Sequence, residues 1–113
     1  MNQNHVSLIG RLTDTPRIVE ATVGTICNLS VAVNGLPKKG TRERSVEFVP
    51  VTVFGNQAAT CGANLVKGQE VRVDGRLHFR KEQVGDKNVT VGVVWAKYVE
   101  FGMKPRSTAP PAE

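Results

Sequence analysis

The sequence predicts an all-β fold, a small barrel with one short helix, and three observations carry that reading. Six runs rich in Val, Ile, Thr and Phe are separated by Gly- or Pro-bearing turns, as strands in a barrel or sandwich would be. Only one segment, Asn56–Val66, has helical character. Two of the runs alternate strictly, which a strand converts into two chemically distinct faces. In SVEFVPVTVFG, Val49, Val51 and Val53 share one side, and Phe48, Thr52 and Phe54 the other. In KGQEVRVDGRLHFRK, Val71, Val73, Leu77 and Phe79 oppose Arg72, Arg76, His78 and Arg80. The first set of each pair is expected in the core.

Taken in order, His5–Leu12 is bounded by the turn-prone Thr13-Asp14-Thr15-Pro16, and Arg17–Thr22 forms a short second run. Gly24–Asn34 follows, with Cys27, Leu29, Val31 and Val33 in phase on one face. Then come Ser45–Phe54, the helix, Glu70–Arg80 and Asn88–Phe101. Pro50 lacks an amide donor and predicts an edge position or bulge. Asn56 is a candidate cap for the helix, Ala58, Ala59 and Ala63 favour it, and Lys67-Gly68 ends it. A helix between the third and fourth long strands matches an OB-fold, the five-stranded Greek-key barrel. Periodicity alone leaves an SH3-like barrel or a sandwich open.

The 113 residues suffice for one domain and one core. That domain is expected over residues 1–103, and the Pro-rich stretch 104–113 as a short flexible tail. A formal charge of +5 favours an anionic partner. No apolar run approaches the roughly 20 residues that span a bilayer, and the start does not resemble a secretion signal. Cys27 and Cys61 lie in no CxxC or His-rich cluster, so both are expected to be structural, Cys27 in the core and Cys61 half-buried in the helix. Their usage suits a reducing cytoplasm. His5 and His78 are isolated, and no paired carboxylates, nucleophile motif or metal-ligand spacing is present. Catalysis, metal and cofactor are therefore not expected.

The residues that remain suit a surface where bases stack and phosphates are neutralised, which points to single strands. Phe48 and Phe54 share a strand face that the valines avoid. Arg72, Arg76 and Arg80 alternate along another strand, with Asp74 placed to pair with a neighbour. The loop Gly35–Arg44 concentrates Lys38, Lys39, Arg42 and Arg44 against a single acid, a density that folding does not require. Trp95 and Tyr98 sit among Val91, Val93, Val94 and Val99, and packing in the core or at a subunit interface is expected for both.

NHVSLIGRLTDTPRI, GTICNLSVAVN and VEFVPVTVFGNQAATCGANLVKGQEVRVDGRLHFRK, in that order, resemble the bacterial single-stranded DNA-binding protein family over Asn4 to Gly102. The resemblance implies an OB-fold homotetramer that coats and protects single-stranded DNA in replication, recombination and repair. Phe48 stands where the family has a stacking tryptophan, and Phe54 where it has a stacking phenylalanine. Arg76 to Lys81 match segments that contact the phosphate backbone in relatives. The expected DNA-binding set is thus Phe48, Phe54, Lys38, Lys39, Arg42, Arg44, Arg72, Arg76, Arg80 and Lys81.

Three departures qualify the resemblance. Relatives often carry tryptophans where this chain has Leu36-Pro37 and Glu82, so its stacking inventory is thin. Many also end in an acidic tip finishing Pro-Phe, whereas this chain ends Ala-Pro-Pro-Ala-Glu. Recruitment of partner proteins through such a tip is not expected. A dimeric OB-fold adaptor of the primosome, contacting a helicase or its loader, is the alternative these departures suggest.

Overall fold

A computed structural model describes residues 1–37, 39–40 and 44–105, with Leu36 and Arg44 described by their backbone only. The elements are β1 (Val6–Leu12), β2 (Arg17–Ala21), β3 (Gly24–Pro37), β4 (Arg44–Phe54), α1 (Gly55–Asn64), β5 (Glu70–Val84) and β6 (Lys87–Phe101). Each expected strand is present. The differences lie at the ends, where β3 continues to Pro37 and β5 to Val84. Gly85 and Asp86 alone join β5 to β6, and Gly85 has φ +60°. A left-handed first turn residue matches the right-handed twist of the two strands it joins.

Strand order is β1-β5-β6-β4-β3-β2, and a further pairing of β1 with β3 closes the ring. Five strands therefore form the barrel, with β2 hairpinned onto β3 outside the closure. Neighbouring strands are antiparallel except β4 and β6, which pair in parallel through Val51↔Val94 and Thr52↔Trp95. This is the OB-fold. Pro50 lies just before that pairing begins, on an unpaired stretch of the β4 edge.

The core is aliphatic and small. Leu12, Cys27, Leu29, Val31, Val51, Val53, Val71, Val73, Val94 and Val99 are buried, and Ala58, Cys61 and Leu65 come from α1 and the turn after it. Alternation on β3, β4 and the first half of β5 is thus met. Cys61 is fully buried rather than half-buried, because the helix lies against β3 and presents that residue to the barrel. The helix is entered by Phe54, not capped by Asn56, and the Phe54 side chain makes no capping hydrogen bond. It ends at Asn64, with Leu65 as the C-terminal cap. Gly68, at φ +87°, serves the turn beyond.

Leu77 and Phe79 correct the core expectation for β5: both are exposed. The β1 partner of β5 reaches only to Gly75. Beyond it, among the described residues, β5 pairs with β6 alone, and the two run on as a ribbon. Phe79 instead packs over Gly92, where a Cβ would lie 3.2 Å from the ring. Of the two placements expected for Trp95 and Tyr98, core or subunit interface, the core of this chain holds neither residue. Trp95 is half-buried and Tyr98 exposed.

Candidate nucleic-acid interface

Strand alternation places a second, non-core face on the outside of the barrel. From β4 it receives Phe48, Pro50, Thr52 and Phe54, paired across β3 with Ala32, Ser30, Asn28 and Ile26. Thr52 donates its hydroxyl to the Asn28 amide oxygen at 3.2 Å, tying the two strands on this face. On the other side of Thr52 comes Trp95 of β6. Opposite Trp95, Val93 and Val91 lie Arg76, His78 and Arg80 of β5. Four strands thus form one continuous surface.

Its rings are accessible. Phe48 is 66% exposed and Phe54 39%, so neither is claimed by the protein's own core. Six residues of strand separate them, about 20 Å at the usual rise. Phe54 meets Trp95 edge to face, with centroids 5.6 Å apart. His78 stacks on the same indole at 3.7 Å and an interplanar angle of 21°. One end of the face therefore carries three touching rings, and the other carries Phe48 alone.

The cations divide into two sets. Arg72 pairs with Asp74 at 3.4 Å and Glu100 at 3.8 Å, and Arg80 pairs with Glu82 at 3.1 Å. These are exposed pairs that a phosphate can displace at small cost. Arg76 has no ion pair among the described residues and lies beside Trp95. Lys81 alternates to the ribbon side that carries Leu77 and Phe79, away from Arg76 and Arg80. Lys39 is exposed. Lys38 and Arg42 lie outside the described residues, and Arg44 is placed only by its backbone, opposite Pro37.

Sequence reasoning set His78 beside Arg76 and Arg80 on the non-core side of β5 without selecting it for the site, and it expected Trp95 in the core or at a subunit interface. In β6, valines occupy both faces, so alternation does not announce which side the tryptophan takes. The parallel register with Thr52 is what decides it. A cavity of about 460 Å³ opens beside Phe54 and Trp95, lined also by Asn4, His5, Asp74, Gly75, Arg76, Ala96 and Lys97. Around it, the Asn4 side chain both accepts from and donates to the Leu77 backbone. Gln57 of α1 bonds the Lys97 carbonyl and the Val99 amide, holding the irregular stretch where the β5–β6 register shifts. Among the described residues, no group of three His, Cys, Asp or Glu side chains is arranged to hold a metal.

An OB barrel with an open aromatic and basic face defines a class of oligonucleotide-binding platforms. Comparison with known proteins narrows it: the single-strand binding protein family matches residues 3–101. The chain belongs to that family. It is 39% identical over 87 residues to single-stranded DNA-binding protein 1 of Clostridium acetobutylicum, covering 75% of this chain and 79% of the relative. With the Staphylococcus aureus MSSA476 single-stranded DNA-binding protein 1 it shares 33% identity over 107 residues, 93% of this chain and 68% of the relative. It spans 60% of the Streptococcus pyogenes relative.

Solved structures agree on the fold. The small single-stranded DNA-binding protein of Streptomyces coelicolor superposes with a TM-score of 0.76 at 20% identity, over 91% of this chain and 97% of that one. The Plasmodium falciparum protein, solved in complex with single-stranded DNA, gives 0.77 at 24% identity, over 89% and 96%.

Proposed function

We propose that this chain is a non-enzymatic, sequence-tolerant single-stranded DNA-binding protein that coats and protects unpaired strands in replication, recombination and repair. Family membership supports the reading, and one observation carries it: the exposed rings of Phe48 and Phe54 share a sheet face with Arg76, which has no ion pair among the described residues. A ring face stacks any base, and a guanidinium meets any phosphate, so neither contact needs a particular sequence. Lys38, Lys39, Arg42 and Arg44, in the sequence that joins β3 to β4, would supply further cations, and Arg72, Arg80 and Lys81 add charge along β5. The work is binding rather than bond-making and needs no cofactor. The chain assembles with copies of itself, as a homotetramer, in the cytoplasm.

Titration with poly-dT, comparing the wild type with the Phe48→Ala, Phe54→Ala double variant, tests this. A folded variant with sharply reduced affinity is expected. Unchanged affinity would remove both rings from the site, and loss of assembly would reassign them to a subunit contact.

A further inference from the structure

The outer face that carries Phe54 and Thr52 does not stop at β3. The β2 hairpin continues it, setting Arg17 opposite Asn28 and Val19 opposite Ile26. Residues directly opposite across paired strands share a face, so Arg17 and Val19 lie on the side that carries Thr52 and Phe54. The reverse side agrees. Ile18 packs against Gly62 of α1, where an added Cβ would overlap its side chain. Glu20 alternates with Arg17 and Val19, on the side of Ile18, and accepts the Thr25 hydroxyl at 3.0 Å. The outer side of β2 thus presents a cation and small apolar groups, with its own acid turned away.

Two rows cross the sheet in consequence. One is polar and runs through Arg17, Asn28, Thr52, Trp95 and Arg76, over β2, β3, β4, β6 and β5. The other is apolar and runs through Val19, Ile26 and Phe54, whose ring meets Trp95. The polar row begins and ends on an arginine, and neither makes an ion pair among the described residues. Four strand spacings separate the two, about 19 Å along the surface. Arg17 is exposed. An acid, Asp14, lines the same hollow, but its carboxylate accepts the Thr15 amide at 2.8 Å.

A nucleotide has the same two-sided character, an anionic phosphate beside a sugar and base with apolar faces. A guanidinium offers the phosphate a fork of N–H donors and a permanent charge. We infer that the β2–β3 hairpin extends the single-stranded DNA surface beyond the closed barrel, with Arg17 as a phosphate-binding residue at its edge. The inference rests on the single-stranded DNA reading above. It adds a contact that no charge cluster or strict alternation marks in the sequence, because Arg17 is a single cation in a short strand exposed along its whole length. Its contact is with the backbone, so it leaves binding tolerant of sequence.

The test uses the full chain and poly-dT, titrated over a range of salt concentrations. Arg17→Ala, checked for folding by thermal melting, should lower the log–log salt slope by about 0.7, the share of one single-strand phosphate. At about 0.1 M salt that is a loss of about fivefold in affinity, fading as salt rises. Lys67→Ala removes the same charge from the exposed connection between α1 and β5 and should keep the wild-type slope. Arg17→Gln keeps the length and polarity of the side chain, so it gives the same reading if alanine loosens the hairpin. A wild-type slope and affinity in the folded Arg17 variants overturns the inference and leaves the general binding surface standing. Equal losses in Arg17→Ala and Lys67→Ala also overturn it, since net charge alone would then explain both. Failure of the wild type to bind poly-dT overturns both readings.

Discussion

Phe48 and Phe54 differ in what surrounds them, and substitution should separate binding from folding. Phe48 is the more exposed ring and lies opposite the small Ala32. Phe48→Ala should leave stability within about 0.5 kcal/mol while weakening oligonucleotide binding by about 1–3 kcal/mol. Urea unfolding and a binding titration on the same sample would show both. The thiols behave in the opposite way, inward and inert. Burial, aided by the nearby Cys27 thiol, pushes Cys61 up from 9.0 to about 11, and burial also raises Cys27. Between pH 9 and 11 the unfolded Cys61 loses its proton while the folded one keeps it. Stability is therefore complete below pH 9 and falls as pH rises through 11, by about 2–3 kcal/mol for a two-unit separation. Urea melts at pH 8 and 10.5 measure it, and a Cys61→Ser control should flatten the difference.

At the scale of elements, β5 and β6 do two jobs along one pair of strands. The first half of β5 and the second half of β6 complete the barrel, and their remaining halves extend as a ribbon past the point where β1 stops. The change falls at Gly75, where the register shifts and a Cβ would sit 2.1 Å from the Trp95 carbonyl oxygen. Gly75→Ala must move backbone, so it should cost about 1–3 kcal/mol of stability and disturb Trp95. Chemical denaturation should show the loss, and tryptophan emission in the folded state should shift, since Trp95 is the sole tryptophan. Gly10 is as tight against the Ala32 carbonyl, at 2.3 Å, where β1 passes from β5 to β3. Gly10→Ala should destabilise equally while leaving Trp95 emission unmoved.

For the whole molecule, charge dominates the expectation. The rings on the outer face are few, so binding should lean on the 15 Lys and Arg residues that outnumber 10 acids. If about six phosphates are neutralised, the single-strand counterion effect sets a log–log salt slope near −4. Titrations from low to high salt read that slope directly, and a nearly flat response would contradict it. Arg76→Ala should reduce the slope by about 0.7 if it holds one phosphate. Arg72→Ala, whose partner is already a carboxylate pair, should change it less.

Alternation in β3, β4 and early β5 was readable because each strand there has one wet and one dry face, and Val31, Val51 and Val73 follow it. The two phenylalanines on the wet face of β4 were readable for the same reason. Leu77, Phe79 and Trp95 were not. Their surroundings depend on where β1 ends and on which residue of β4 meets β6, and these are facts about distant segments.

The chain's own order of residues therefore determined the strands, the core of the barrel and the presence of stacking and basic groups. Only the closed sheet decided that Trp95 joins Phe54 and His78, that Arg72 and Arg80 are paired while Arg76 is left without a carboxylate partner among the described residues, and that a cavity opens between them. Local alternation records which way a side chain points, but register across strands decides what it meets.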